Sequence, residues 1–235
     1  MSRHMCKFDS YASLYDEWFV RNRVVFETEL KLVDAVLRNA GRVLTVGCGT
    51  ALFESMLCHK VDFVKCIEPS EPMADIARKR GFEVEIATAE DAHYGSLLYD
   101  TVLFNGCPCY MTDFGEALRH AYESLCPGGR VVAVDVPKES PFGCLYNLAM
   151  TLGTWQHPLI VDVAPVDPYP IELVRQAVWR TNDELSREIE GAGFSELEYM
   201  ETLTASPCYA HLVVEEPQKG YTHGSYVAIT GYKKI

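Results

Sequence analysis

Hydrophobic and polar positions follow two different periods along most of this chain. From residue 42 onward, short apolar runs rich in valine and isoleucine alternate with segments of helical periodicity. This alternation is typical of an α/β fold, in which helices cover both faces of a parallel sheet. Strands are predicted at 42–46, 62–67, 82–87, 99–104, 129–136, 196–203 and 225–232. Helices are predicted at 51–59, 71–80, 114–125 and 182–192, the last with a capping box of Thr181 and Glu184.

Two segments do not follow this alternation. Residues 1–41 combine an aromatic-rich opening, FDSYASLYDEWF, with one amphipathic helix, and are expected to form an N-terminal cap against the sheet. The apolar face of that helix consists of Phe26, Leu30, Val33 and Leu37. Residues 137–180 follow the fifth strand with six prolines and no clear period, which is typical of an insertion that shapes a substrate site. Nothing resembles a linker, so residues 1–235 are predicted to form a single domain.

The charge and composition argue against several classes of function. The chain has 33 Asp and Glu against 21 Lys and Arg, a formal charge of -12, which would repel a nucleic-acid backbone. No stretch approaches the roughly 20 apolar residues that cross a bilayer, and the N-terminus lacks a signal-peptide core. The expected partner is therefore a small molecule, with no nucleic acid and no membrane, and the expected location is the cytoplasm. The sequence carries no signal for oligomeric state.

A glycine loop follows the first predicted strand. In VLTVGCGTALFE, Gly47 and Gly49 allow a sharp turn and the close approach of a ligand to the backbone. Leu52 stands where a dinucleotide fingerprint needs its third glycine, which argues against a nicotinamide or flavin cofactor. Glu68 ends the second predicted strand, and an acid at that edge can accept both ribose hydroxyls of an adenosine.

These segments, in their order, resemble the motifs of class I S-adenosylmethionine-dependent methyltransferases of the small-molecule type. The segments that carry the resemblance are VLTVGCGT, CIEPSEPM, ATAEDA, YDTVLFNG and LCPGGRVV. The resemblance implies a Rossmann-like, seven-stranded sheet whose last strand runs antiparallel. It also implies S-adenosylmethionine as cofactor and S-adenosylhomocysteine as product. Ala51 and Thr88 depart from the family pattern, which more often has glycine and aspartate there.

The same resemblance implies a set of cofactor-binding residues. The ribose hydroxyls would be bound by Glu68, and the cap would close the site with Tyr11 and Tyr15. The remaining contacts implied by the family motifs are Gly47, Cys48, Gly49, Pro69, Met73, Ala89, Glu90, Asn105 and Gly106.

The chemistry of methyl transfer makes few demands on side chains. An in-line displacement on an activated methyl group needs mainly orientation of the nucleophile, and a general base is needed only for an acceptor that must lose a proton. The candidates are Asp135 at the end of the fifth strand, His157 in the insertion and Tyr110 beside the expected methyl group. A buried structural acid at the Asp135 position is an equally good interpretation.

The segment NGCPCYMTD, at residues 105–113, places Cys107 and Cys109 one proline apart. A Cys-x-Cys turn alone is a weak ligand pair, so no metal site is predicted. We expect the two thiols to form the wall of the acceptor site. Two alternatives remain open: a thiol or metalloid methyltransferase, with an arsenite-like substrate on Cys107 and Cys109, and a non-catalytic protein that binds S-adenosylmethionine. The sequence does not identify the acceptor.

Overall fold

The computed structural model describes residue 6 and residues 8–234, and within them eight strands form one sheet. The strands are β1 (Arg42–Val46), β2 (Asp62–Ile67), β3 (Val84–Glu85), β4 (Tyr99–Asn105), β5 (Leu125–Asp135), β6 (Ser195–Thr202), β7 (Gln218–Lys219) and β8 (Tyr226–Tyr232). Their order across the sheet is β3-β2-β1-β4-β5-β8-β6-β7. The strands β1 to β5 pair in parallel, whereas β8 runs antiparallel to both β5 and β6. The predicted α/β class and the antiparallel last strand are confirmed.

Helices cover both faces of this sheet. The helices are α1 (Ala12–Arg21), α2 (Arg23–Val36), α3 (Leu52–Leu57), α4 (Glu71–Lys79), α5 (Phe114–Ser124), α6 (Pro141–Leu152), α7 (Ile171–Val174) and α8 (Asn182–Gly191). On one face, buried side chains of α2 and α6 pack with β1, β4 and β5. On the other face, buried side chains of α5 and α8 pack with the same strands and with β8. No helix among residues 6 and 8–234 is long and apolar enough to cross a membrane.

The structure differs from the predicted elements at four places. The strand β3 is only two residues long, as is common for an edge strand, and the added strand β7 is equally short. The cap contains two helices, α1 and α2, separated at Asn22. The insertion contains α6, which the apolar composition of PFGCLYNLAMTL concealed because a helix that is apolar all round shows little period. The two ends of α6 do carry sequence signals, since Ser140 caps the first turn and Gly153 ends the helix with a φ of 78°.

Candidate active site

The glycine loop after β1 lies directly against the loop after β4. Gly47 has a φ of +70°, and a β-carbon placed on it would lie 2.8 Å from Cβ and 2.9 Å from Sγ of Cys107. The backbone N–H of Gly47 donates to the Ile67 carbonyl at 2.8 Å. Ala51, at the end of the same loop, stands where the family pattern more often has glycine, and its φ of 54° lies in the left-handed region that favours glycine. Two separate constraints therefore require glycine at position 47: the backbone conformation and the contact with Cys107.

Glu68 follows the end of β2 and faces the glycine loop. Its Oε2 accepts the Gly49 N–H at 2.8 Å, and its Oε1 accepts the Ser70 N–H at 2.8 Å. The side chain is only 4% exposed, and this burial raises the pKa of the carboxyl to about 7, against the opposing effect of the two backbone donors. Each oxygen keeps a lone pair for one more donor, so the carboxylate is fixed in place with capacity for two ligand hydroxyls.

A large cavity of about 960 Å³ opens at the carboxyl ends of β1, β2 and β4. Ten of the predicted cofactor-binding residues line it: Tyr15, Gly47, Gly49, Glu68, Pro69, Met73, Ala89, Glu90, Asn105 and Gly106. Tyr11 and Cys48 do not line it. Tyr11 precedes α1 as its N-cap residue, and Cys48 is buried, with its thiol donating to the Gly49 carbonyl at 3.6 Å.

Hydrogen bonds connect the loops around the large cavity to one another. One oxygen of Glu90 accepts the backbone N–H groups of Thr112 and Asp113, both at 2.9 Å. The cap is tied to the glycine loop because the Thr50 hydroxyl donates to Asp16 at 2.6 Å, and Arg80 bonds both the Asp16 carboxyl and the Thr50 carbonyl. The sequence did not point to Asp16 or Arg80, since pairs so distant along the chain carry no local signal.

A second, smaller cavity of about 70 Å³ lies beside the large one, and we call it the aromatic chamber. Nine of the residues that line it are aromatic: Tyr15, Trp18, Phe19, Phe53, Tyr110, Tyr146, Tyr169, Trp179 and Tyr226. The others are Glu29, Asn105, Gly106, Cys109, Asp135 and Val136. The residues common to both cavities are Tyr15, Asn105, Gly106, Tyr110 and Tyr169. These five residues form the boundary at which a ligand of one cavity would meet a ligand of the other.

The cap and the insertion together form the walls of the aromatic chamber. The indole of Trp18 in α1 donates to the Pro168 carbonyl at 3.3 Å, and the indole of Trp155 donates to the Tyr169 carbonyl at 2.9 Å. The insertion also contacts the loop after β4, because the Val178 N–H donates to the Cys109 carbonyl at 2.7 Å. The expectation that residues 137–180 border a substrate site is consistent with this arrangement.

The three predicted catalytic candidates lie in different surroundings. Tyr110 lines both cavities. Asp135 lines the aromatic chamber, but its two oxygens already accept the backbone N–H groups of Cys109 and Val136 at 2.8 Å. Burial raises the pKa of this carboxyl to about 6. His157 lines neither cavity, and its Nδ1 accepts the Leu159 N–H at 3.2 Å within a turn of the insertion. Asp135 therefore positions the turn at 108–110, and His157 is not brought to the site.

The two cysteines of the loop after β4 have different positions. The Cys107 thiol lines the large cavity and donates to the Val46 carbonyl at 3.1 Å. Cys109 is 2% exposed and lines the aromatic chamber. Burial raises the pKa of both thiols well above the usual value, and the nearby Asp135 raises them further. No group of three or more His, Cys, Asp or Glu suited to a metal ion occurs among residues 6 and 8–234.

Sequence reasoning missed Glu29, which lies on α2 and lines the aromatic chamber. The signal was present, because Glu29 lies three residues after Phe26 and four before Val33, on the apolar face of the predicted helix. An acid within an apolar stripe is more unusual than an acid on a solvated face.

The chain is similar in sequence and in structure to known proteins. The family described as a methyltransferase domain matches residues 44–133. A crystal structure from Thermotoga maritima is 30% identical with a TM-score of 0.82, and the match covers 97% of this chain and 98% of that one. It is described as a SAM-dependent methyltransferase, possible histamine N-methyltransferase. An uncharacterised protein of Methanocaldococcus jannaschii is 24% identical over 96% of this chain and 98% of its own length. An uncharacterised protein of Mycobacterium tuberculosis is 25% identical over 93% of this chain and 71% of its own length.

This chain belongs to the class I S-adenosylmethionine-dependent methyltransferases. The residues of the large cavity fit that cofactor. The fixed carboxylate of Glu68 retains acceptor capacity for two hydroxyls, and the glycines at 47 and 49 leave the backbone open to a close ligand. Pro69, Met73 and Ile86 supply apolar surface to the same cavity.

Proposed function

We propose that this protein transfers a methyl group from S-adenosylmethionine to a small-molecule acceptor held in the aromatic chamber. The observation that carries the proposal is the boundary of five residues common to the large cavity and the chamber. A donor in one cavity and an acceptor in the other would meet at Tyr15, Asn105 and Tyr110. A protein that only binds the cofactor has no need of a second cavity at this place.

The residues of this chain would act mainly by orientation. Bound S-adenosylmethionine supplies a methyl group already activated on a sulfonium. Tyr226 donates to the Asn105 side-chain oxygen at 2.8 Å and fixes that amide at the boundary. The aromatic walls would exclude water and restrict the acceptor to few orientations, which is worth about 7 to 11 kcal/mol of barrier in the best intramolecular cases.

Charge and size support a small molecule as the acceptor. The formal charge of -12 disfavours a nucleic acid, and the chamber admits only a few water-sized groups. The raised pKa values of Cys107 and Cys109 disfavour the thiolates that a metalloid substrate would need. We therefore favour a small organic acceptor over a thiol-bound metalloid.

The proposal is tested by binding and transfer measured on the same preparation. Titration calorimetry with S-adenosylhomocysteine should show saturable binding, and labelled S-adenosylmethionine should methylate at least one member of a panel of amines, phenols, thiols and arsenite. Histamine belongs in that panel because of the description of the Thermotoga maritima protein.

The matched variants are Asn105→Ala at the boundary and Asn147→Ala in α6, an asparagine that lines neither cavity. Transfer should fall at least tenfold in Asn105→Ala and remain within twofold in Asn147→Ala. The absence of S-adenosylhomocysteine binding at millimolar concentration would overturn the proposal. Binding without transfer to any panel member would favour the non-catalytic alternative instead.

A further inference from the structure

Glu29 is a carboxyl group without a partner in the aromatic chamber. Among residues 6 and 8–234, no residue donates a hydrogen bond to it or forms an ion pair with it in this structure. The residue is half-buried, and the desolvation of its carboxyl raises the pKa to about 8. Asp135, the other acid of the chamber, has a backbone donor on each oxygen. Since acids shielded from water in proteins are normally paired or hydrogen-bonded, the isolation of Glu29 requires an explanation.

The surroundings of Glu29 suit a cation. Aromatic rings attract ammonium groups through their negative faces, most strongly where water is excluded. In the part of the chain that the structure describes, no lysine or arginine lines the chamber. Four of the lining tyrosines lie close enough for the charge of Glu29 to raise their pKa beyond the effect of burial: Tyr15, Tyr146, Tyr169 and Tyr226. The tyrosine hydroxyls therefore stay neutral at physiological pH. An ammonium ligand would supply the positive charge that the Glu29 carboxylate lacks as a partner.

The position of Glu29 also defines which end of the acceptor it would bind. Glu29 lines the chamber but not the large cavity, whereas Tyr15 and Tyr110 line both. A group paired with Glu29 would therefore lie at the part of the chamber away from the cofactor. The chamber volume of about 70 Å³ holds roughly five water-sized groups, which is the size of a short aliphatic amine.

We propose that Glu29 is the recognition group for a small cationic amine, which it pairs with inside the aromatic chamber. This inference rests on the proposed function, because it assigns the chemical class of the acceptor that the chamber would hold. Glu29 is protonated at neutral pH while it has no partner. An arriving ammonium would favour its carboxylate, so binding would release about one proton per site at pH 7.

Other ionisable groups near Glu29 do not account for such a signal. The helix α2 packs against α1, α3, β6 and β8. Glu54 on α3 is buried, which raises the pKa of its carboxyl to about 7, but it does not line the chamber. Glu201 on β6 accepts the backbone N–H groups of His223 and Gly224. The ionisable groups that line the chamber with Glu29 include the four tyrosines named above, which do not ionise near pH 7, and Asp135, whose pKa of about 6 leaves it largely ionised at that pH.

The test uses butylamine as the probe and 1-butanol as its neutral analogue of the same length. Each is titrated calorimetrically at pH 7 into the cofactor-free protein and into the protein saturated with S-adenosylhomocysteine. We expect the wild-type protein to bind butylamine at least tenfold more tightly than 1-butanol. Repeating the titration in buffers of different ionisation enthalpy should show the release of about one proton. Affinity for the amine should rise from pH 6 to pH 8 and level off above the Glu29 pKa of about 8.

The decisive variant is Glu29→Gln, and its control is Glu27→Gln on the same helix. Glu27 pairs with Arg23 at 2.6 Å and lines neither cavity. Glu29→Gln should lose the preference for the amine and the proton release, while Glu27→Gln keeps both. Equal binding of the two probes by the wild-type protein, or a preference unchanged in Glu29→Gln, would overturn the inference. Failure of S-adenosylhomocysteine to bind would instead contradict the proposed function, and the cofactor-free titrations would still decide the role of Glu29.

Discussion

The large cavity and the aromatic chamber share five lining residues, and each contains an acid, but the two acids have opposite hydrogen-bonding environments. In the large cavity, each oxygen of Glu68 accepts one backbone N–H, from Gly49 and from Ser70. In the chamber, Glu29 accepts no hydrogen bond from any residue among 6 and 8–234. Burial raises the pKa of both carboxyls, to about 7 for Glu68 and about 8 for Glu29.

This difference indicates two kinds of recognition. A carboxylate held by backbone amides before the ligand arrives is suited to neutral hydroxyls, whose hydrogen bonds need a fixed acceptor. A carboxyl without partners among neutral rings is costly to ionise, and it gains most from a ligand that carries a positive charge. On the proposed function, the large cavity would bind the cofactor through a preorganised acceptor, and the adjoining chamber would select the acceptor by charge and size.

The largest effect is expected from Glu68→Ala, which tests whether the fixed carboxylate in the large cavity holds the cofactor. The change removes the proposed acceptor for the two ribose hydroxyls and leaves the Gly49 and Ser70 amides without their partner. With about 1.5 to 3 kcal/mol for a hydrogen bond to a charged group, we expect S-adenosylhomocysteine to bind about 100-fold more weakly at pH 8. Titration calorimetry measures the effect, and Glu83→Ala, an exposed acid before β3, serves as the control. A loss below threefold would show that the fixed carboxylate does not hold the cofactor.

A second test addresses the contact between the glycine loop and the loop after β4. Gly47→Ala places a β-carbon 2.8 Å from Cys107 at a φ of +70°, whereas Gly81→Ala, at a φ of +94°, meets nothing within 4 Å. Both changes incur the backbone strain of about 1–2 kcal/mol, but only Gly47→Ala adds overpacking of about 1–3 kcal/mol. Denaturant unfolding should therefore show a larger loss of stability for Gly47→Ala. Equal losses would mean that the two loops can separate without cost.

The large cavity and the aromatic chamber also differ in how far the sequence predicts them. The strands from β1 to β5 and the Gly47, Gly49 and Glu68 site follow from local patterns, because strand, turn and acid are close together along the chain. The capping box of α8 is confirmed in both of its hydrogen bonds. The chamber is different, because its walls come from α1, α2, the loop after β4, the insertion and β8.

Only the folded chain brings Glu29, Tyr146 and Tyr226 to the same cavity, although they lie up to about 200 residues apart. An aromatic residue in an insertion has no pattern that separates a ligand contact from core packing. His157 shows the reverse case, since its residue type suggested chemistry and the turn of the insertion directs it elsewhere. Of the chamber residues named here, Glu29 alone carries a local indication in the sequence, because it is an acid on an otherwise apolar helix face.

The smallest effect is expected from the two cysteines of the loop after β4, of which Cys107 lines the large cavity and Cys109 lines the chamber. Burial raises the pKa of both thiols, so neither is a thiolate near neutral pH, and each side chain mainly fills space. Cys107→Ser and Cys109→Ser, alone and together, should leave S-adenosylhomocysteine affinity within about twofold and alter transfer by less than about fivefold. Serine retains a donor for the Val46 carbonyl at position 107, and Cys58→Ser, at an exposed position in the turn after α3, is the control for the substitution itself. Complete loss of transfer with cofactor binding intact would assign the thiols a chemical role and favour the metalloid alternative over an amine held by Glu29.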